Sequence, residues 1–132
     1  MRVTHSIPSA QYLKKYVLFT DPTYSETSLV VVRTPVDGQF ADVSIGCAGN
    51  LGGWTPIGDN EYTRLDLVTG NFEDVNGCSN GRHEMTSDNP FGVTVWGWGS
   101  NASQQFNTVY VSYAYPAGAS AKGINDVEVL PQ

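Results

Sequence analysis

Hydrophobic residues along the chain recur at every second position or in short continuous runs, and no helical period is present. The stretch "ADVSIG" alternates apolar and polar residues, as a half-buried strand does. Continuous runs such as "SLVVVR" favour strands that are covered on both faces. The pattern predicts eight or nine short strands, placed at 12–20, 28–33, 41–46, 61–68, 82–87, 91–99, 107–115 and 125–131.

Turn-forming residues separate these strands. Asp37-Gly38 is a strong hairpin signal ahead of the alternating strand. Asp88-Asn89-Pro90 stands between 82–87 and 91–99, so we expect those two strands to form a hairpin.

The number and spacing of the strands indicate the fold class. Two longer connections, 47–60 and 69–81, are rich in glycine and lack a regular pattern. Short strands at fairly regular spacing predict an all-β fold, an antiparallel β-sandwich or jelly-roll-like domain. The chain has no internal repeat or linker, so we expect a single domain over residues 1–132.

The segment "PFGVTVWGWGS" (90–100) places valine and tryptophan on opposite faces of one strand. Val93 and Val95 share a face with the glycines that follow, whereas Trp96 and Trp98 share the other face. If the valine face is the core, the glycines let a backbone or a large side chain approach closely. If the tryptophan face is the core, the two rings fill one end of the sandwich. We favour the second arrangement, in which the pair is a packing feature of the fold.

Composition and charge exclude several classes of partner. The formal net charge is −6, the pI is about 4.6 and only 15% of the residues are charged. Nucleic-acid and anionic membrane surfaces require clustered Lys and Arg, and the seven basic residues here are scattered. No apolar run reaches the roughly 18 residues of a membrane-spanning helix, so we expect no membrane insertion.

Two cysteines, Cys47 and Cys78, occur in this small, glycine-rich chain. They favour a disulfide and an oxidising, extracellular or cell-surface location, although two buried free thiols are the alternative. In the chain-entropy model such a bridge contributes about 3–4 kcal/mol. Residues 1–10 lack the apolar run of a secretory signal peptide, so the expected location depends on composition and on the cysteines.

Catalytic chemistry is not indicated. A serine nucleophile requires a general base and a residue that orients it, and the chain contains no GxSxG pattern. His83 lies between Arg82 and Glu84, and alternation places both neighbours on the opposite face from it. We therefore interpret His83 as structural or solvent-facing and predict that the protein is not an enzyme.

Calcium is the one cofactor that the sequence suggests, and only weakly. Asp21 and Glu26 lie in one acidic turn, and Asp59 and Glu61 lie in another. Calcium prefers such oxygen ligands, but neither turn matches a defined calcium loop. The alternative is ordinary turn chemistry, in which carboxylates accept backbone hydrogen bonds.

Aromatic residues give the best indication of binding. Trp54 lies in the glycine-rich connection "NLGGWTP", and Tyr113 and Tyr115 share one face of the strand before Pro116. Flat aromatic rings on a rigid β scaffold suit sugar stacking or protein contacts. The alternative is that these rings build the core, which has few other large apolar residues.

Nearly the whole chain resembles one known domain family. The resemblance is carried by "PFG" (90–92), "SYAYPAG" (112–118), "INDV" (124–127) and the positions of Cys47 and Cys78. The chain is similar to the family named for the N-terminal region of IgGFc-binding protein, in its bacterial branch. The resemblance implies an extracellular, disulfide-bonded β domain of a large secreted or surface protein, without catalytic residues. The namesake is reported to bind antibody Fc, and no residue set for Fc binding is carried over to this chain.

The sequence therefore favours a non-catalytic extracellular recognition or adhesion domain that binds a glycan, a glycoprotein or another protein. A structural subunit is the alternative. The terminal stretches "MRVTHS" (1–6) and "NDVEVLP" (125–131) can pair with neighbouring copies by strand addition and so form oligomers or fibres.

Overall fold

A computed structural model describes residues 11–99 and 112–117 of the chain. These residues form strands and no α-helix, which confirms the predicted all-β class. All the strands belong to one curled antiparallel sheet. They are β1 (Leu13–Phe19), β2 (Glu26–Arg33), β3 (Val43–Ile45), β4 (Gly49–Asn50), β5 (Thr55–Ile57), β6 (Asn60–Thr69), β7 (Glu73–Asp74), β8 (Arg82–Trp98) and β9 (Ser112–Pro116).

Strand β8 is the centre of the sheet. It is 17 residues long and pairs with four other strands. Its first part, 82–87, lies between β1 and β3, and its second part, 91–98, lies between β2 and β9. Strand β6 continues the sheet beyond β2. The two parts of β8 therefore join the two halves of the curled sheet through one continuous backbone.

The predicted hairpin between 82–87 and 91–99 is wrong, because the chain does not reverse at Asp88-Asn89-Pro90. Opposite this segment the β1–β8 ladder is irregular: Leu13 pairs with Phe91, whereas Lys15 pairs with Thr86. Proline has no N–H to donate to a ladder, so it suits such an interruption. The turn-forming residues mark the point where β8 changes its partner strands and keeps its direction.

The core lies between the two halves of the sheet. Val93 and Val95 of β8 are buried, and across the ladder they face Val31 and Leu29 of β2. Among the described residues, the buried apolar cluster consists of Tyr16, Leu18, Leu29, Val31, Val43, Ile45, Leu51, Leu67, Val68, Cys78, Met85, Phe91, Val93 and Val95. Removing this apolar surface from water is the main favourable contribution to folding.

The tryptophan pair lies on the face opposite this core, so the favoured expectation for it is wrong and the valine-core alternative is confirmed. Trp96 and Trp98 are half-buried and stack on each other, with ring centroids 5.6 Å apart and planes 10° from parallel. The guanidinium carbon of Arg64 lies 5.7 Å from the Trp98 centroid. The pair is therefore a stacked cluster on the outer face of the sheet.

Gly97 gives a tyrosine ring direct access to the backbone of β8. It lies opposite Tyr113 of β9, and a Cβ at this position would overlap the Tyr113 ring. Gly92 has the same relation to the ring of Tyr12. Each glycine thus leaves a recess on the strand that a flat aromatic ring fills.

A disulfide joins Cys47 and Cys78, as the sequence predicts, with Cα atoms 5.1 Å apart. Cys47 follows β3, and Cys78 lies in the connection between β7 and β8. Cys78 is buried, and its N–H donates to the carbonyl of Val75. The bridge therefore fixes the long 75–81 connection against the half of the sheet that contains β3.

Replacing Gly97 with alanine should lower the free energy of unfolding by about 1–3 kcal/mol, as overpacking does in a close-packed interior. The Tyr113 ring cannot move aside cheaply, because Tyr24 packs against it and Asp21 hydrogen-bonds to its hydroxyl. Urea unfolding followed by tryptophan fluorescence measures the change. The control is Gly52→Ala, where a Cβ meets no atom within 4 Å and the change should stay within about 0.5 kcal/mol. Equal stability of the two variants would contradict this packing account.

Candidate functional site

Two of the three predicted ligand residues, Tyr113 and Tyr115, lie together in one cavity. It opens where the end of β1 and the β1–β2 connection meet β9, and its volume is about 640 Å³. We call it the tyrosine cavity. Its described lining residues are Phe19, Thr20, Asp21, Tyr24, Tyr113, Ala114 and Tyr115.

Packing between aromatic rings forms the wall of the tyrosine cavity. Tyr113 and Tyr115 stack with ring centroids 5.8 Å apart and planes 21° from parallel. Tyr24 meets Tyr113 edge-on at 4.6 Å, with the planes at 79°. Tyr115 is 38% exposed and Phe19 is 61% exposed. The wall is therefore ordered by internal contacts and still offers aromatic surface to solvent.

The hydroxyl groups of the two β9 tyrosines form hydrogen bonds with the backbone of the last residue of β1 and of the β1–β2 connection. Tyr115 donates its hydroxyl proton to the carbonyl of Phe19, and the N–H of Asp21 donates to the Tyr113 hydroxyl at 3.2 Å. Thr20, between them, donates its hydroxyl to Asn80 Oδ1 at 2.8 Å. These bonds hold β9 and the β1–β2 connection in a fixed relation, so the cavity is part of the folded framework.

The charge of the tyrosine cavity comes from one carboxylate. Of the lining residues that the structure describes, only Asp21 is charged, and its Oδ1 accepts from the N–H and the hydroxyl of Thr23 at 2.9 and 2.7 Å. Burial raises the pKa of Tyr113. Burial also raises the pKa of Tyr115, and the negative charge of Asp21 adds to that effect. Both phenols are therefore neutral at physiological pH.

Trp54, the third predicted ligand residue, lies at the other end of β2. Its indole N–H donates to the carbonyl of Leu51 at 3.1 Å, and the Arg33 guanidinium carbon lies 4.0 Å from its ring centroid. Tyr24 precedes β2 and Arg33 ends it, so the eight residues of β2, about 26 Å of strand, lie between the tyrosine cavity and Trp54. That Trp54 contacts a ligand stays a prediction.

Arg33, which the sequence did not single out, organises that far end. Its side chain is only 14% exposed and forms an ion pair with Glu61 at 2.7 Å. It also donates to the carbonyl of Ala41 at 2.9 Å and lies 5.1 Å from the ring centroid of Phe40. The sequence signal for it is a single arginine directly after the apolar run 29–32.

Neither of the two turns suggested for calcium gathers three metal-ligating side chains within the described residues. Asp21 and Glu26 lie at the start of β2, whereas Asp59 and Glu61 lie near its end. Oδ1 of Asp21 accepts from Thr23, as in ordinary turn chemistry, and Glu61 is paired with Arg33. Within residues 11–99 and 112–117, no three His, Cys, Asp or Glu side chains form a group able to hold a metal.

His83 has the structural environment that the sequence suggests. It is buried, and its Nε2 lies 2.7 Å from the carbonyl oxygen of Ser79. Arg82 and Glu84 lie on the opposite, exposed side and form an ion pair. The hydrogen bond from Arg82 lowers the pKa of Glu84. His83 thus anchors the connection before β8.

A second cavity, of about 490 Å³, lies on the outer side of β3 and the first part of β8. We call it the polar groove. Ser44 and Thr86 share a hydrogen bond of 3.2 Å across its base, and Asn50 donates to Asp42 at 3.4 Å. Its sequence signal was the polar side of the alternating 41–46 strand, whereas Thr86, Ser87 and Asp88 come from the distant β8. The lining residues are Phe40, Ala41, Asp42, Ser44, Asn50, Thr86, Ser87 and Asp88.

A protein-family model described as IgGFc binding protein matches residues 2–97. The chain belongs to this family. The family resemblance predicted from the sequence is confirmed, and the bacterial branch stays a prediction. Comparison with curated proteins and with solved structures gives no match. The match to the IgGFc binding protein family includes Gly97, whereas Tyr113 and Tyr115 lie beyond the matched residues.

The family match and the disulfide both agree with an extracellular location. Domains of this family are typically extracellular and non-enzymatic, and the disulfide agrees with an oxidising environment. In the described part of the chain, no helix has the length and apolar character needed to cross a membrane.

The raised pKa values of the two β9 phenols predict a loss of stability at alkaline pH. Because the pKa values of Tyr113 and Tyr115 are raised in the folded protein, the unfolded chain loses these protons first. Their contribution to the free energy of unfolding is therefore fully present below about pH 10, and it declines as pH rises through the pKa values of the folded protein. Urea unfolding at about pH 9 and about pH 11 should show this decline, and it should be shallower in a Tyr113→Phe/Tyr115→Phe variant. Identical pH slopes in the two proteins would contradict the assignment.

Proposed function

We propose that this domain is a non-catalytic extracellular recognition domain that binds a protein partner at the tyrosine cavity. The observation that carries the proposal is the ordered aromatic wall, which leaves Tyr115 and Phe19 exposed. Family membership and the disulfide support an extracellular binding role. The name of the family refers to an antibody Fc, which supports a protein as the class of ligand.

The construction of the tyrosine cavity suits a protein contact. Aromatic side chains that remain exposed on a rigid scaffold provide most of the binding energy at many protein interfaces. Here the hydroxyls of Tyr113 and Tyr115 are already bonded to backbone groups, so binding does not have to order these rings. Such preorganisation reduces the entropy lost on association.

Replacing Phe19 with serine should weaken binding of a protein ligand at least about tenfold, because it removes exposed aromatic surface at the rim. Surface plasmon resonance against a panel of purified extracellular proteins, with an IgG Fc fragment included, measures this change. The matched control is Ile57→Ser, which removes an apolar side chain that is 54% exposed at the other end of the sheet. No binding to any member of the panel, or equal losses in the two variants, would contradict the proposal.

A Trp54→Phe variant extends the same measurement to the third predicted residue. Phenylalanine keeps a six-membered aromatic ring beneath Arg33 and removes the pyrrole part of the indole, with its donor to Leu51. A loss of affinity without a loss of stability would support a ligand contact at Trp54. Unchanged affinity would leave Trp54 with its structural contacts alone.

Glycan binding is a second candidate function, and the polar groove favours it. Two carboxylates, Asp42 and Asp88, and the amide of Asn50 offer the directional acceptors and donors that sugar hydroxyls require. Phe40, which is partly exposed at the edge, supplies a flat surface for the apolar face of a sugar ring. The polar groove is a separate site from the tyrosine cavity.

If the polar groove binds a glycan, Asp88→Ala should remove the signal on a glycan array, because the variant loses an acceptor from the groove. Asp74→Ala, an exposed carboxylate on β7 outside the groove, is the control with the same change in charge. Wild-type protein that binds no glycan on the array would eliminate this second function. The same holds if both variants keep the wild-type signal.

The alternative of self-assembly by strand addition depends on residues 1–6 and 125–131. Both stretches lie outside the described residues. The alternative therefore stays a prediction of the sequence.

A further inference from the structure

We propose that the tyrosine cavity is selective for a cationic side chain, a lysine or an arginine presented by the protein partner. This inference rests on the proposed protein-recognition function and names the chemistry of its ligand. It follows from the contacts that the groups around the cavity already make, and from the sign of the charge that remains.

Two of the hydroxyl donors that line the cavity, those of Tyr115 and Thr20, are used within the protein. The Tyr115 hydroxyl donates to Phe19, and the Tyr113 hydroxyl accepts from Asp21. The Thr20 hydroxyl donates to Asn80 and accepts from the N–H of Gly81. These two hydroxyls are therefore not free to donate to an anionic ligand, whereas the ring faces and the Asp21 carboxylate offer electron-rich surfaces to a cation.

The exposed ring faces attract positive charge. An aromatic ring carries negative potential over its face, and a cation within about 6 Å of the centroid gains about 0.5–2 kcal/mol. Tyr113 has Gly97 against it and the edge of Tyr24 at its side, so Tyr115 and Phe19 supply most of the accessible ring surface. The aliphatic stem of a lysine or arginine fits the same apolar wall.

The Asp21 carboxylate adds a charge of the complementary sign at the edge of this aromatic surface. Asp21 is exposed, and Oδ1 accepts both of its hydrogen bonds from Thr23. A carboxylate has acceptor positions on both oxygens, so Asp21 can still accept from an ammonium or guanidinium group. The protein as a whole has 13 acidic and seven basic residues, and this excess favours the approach of a basic partner.

Three capped amino acids that differ in charge test the inference directly. N-acetyl-lysine methylamide, N-acetyl-norleucine methylamide and N-acetyl-glutamate methylamide are titrated into the labelled domain, and backbone amide shifts are followed by NMR. The lysine probe should shift Thr20, Asp21 and Tyr113–Tyr115 with a dissociation constant near the millimolar range, about what a single side chain provides. The norleucine and glutamate probes should bind at least about threefold more weakly.

Asp21→Asn removes the charge and keeps the Oδ1 acceptor that Thr23 uses, so the turn should persist. It should weaken binding of the lysine probe at least about threefold, about 0.7 kcal/mol. The matched control is Asp59→Asn, an equal charge change in the exposed turn before β6, which should leave the affinity unchanged. An equal loss in both variants would show that net charge acts without the cavity and would overturn the inference.

The outcomes separate this inference from the function on which it rests. Norleucine bound as tightly as lysine, a preference for glutamate, or no probe bound at the tyrosine cavity would each overturn the cation selectivity. In those cases, sensitivity of protein binding to Phe19→Ser would still support the recognition function. Conversely, selective binding of the lysine probe without any protein ligand in the panel would support the chemistry and contradict the function.

Discussion

The structure depends on the hydrogen-bond ladder of one strand. Strand β8 pairs with β1 and β3 over its first part and with β2 and β9 over its second. A strand that pairs with four others needs hydrogen-bond partners on both edges along most of its length, because an unpaired buried amide costs free energy. Both cavities border β8 or a strand that pairs with it, so their geometry is fixed by the same ladder.

Alternation in the sequence predicted much of the fold, because period-two burial is a local property that each strand carries in its own residues. It correctly placed Val95 and Trp96 on opposite faces of one strand but could not decide which face is the core. That choice depends on Leu29 and Val31, which meet the valines only through pairing between distant strands. The same limitation explains the false hairpin at Asp88-Asn89-Pro90, where local turn chemistry coincides with an interruption in a continuous strand.

The candidate site could be predicted in part for a similar reason. Tyr113 and Tyr115 share a face within one short strand, so the sequence alone grouped them. Phe19 pairs with Arg82 at the start of β8, whereas Tyr115 pairs with Val95 near its end. They meet in one cavity only because the sheet is curled. Trp54 was predicted from a different signal, an aromatic ring in a glycine-rich connection, and in the structure its N–H donates to Leu51 and its ring lies beneath Arg33.

The contact between Gly97 and Tyr113 makes the tyrosine cavity a reporter of strand register. A slip of β9 by one residue would bring Ala114 opposite Gly97 and move both rings to the side of the sheet that carries the tryptophans. A slip by two would keep the rings on the same side but carry their hydroxyls about 7 Å from Phe19 and Asp21. The cavity therefore forms in only one alignment of β8 and β9. Its hydrogen bonds and ring contacts thus select the correct register of that pairing.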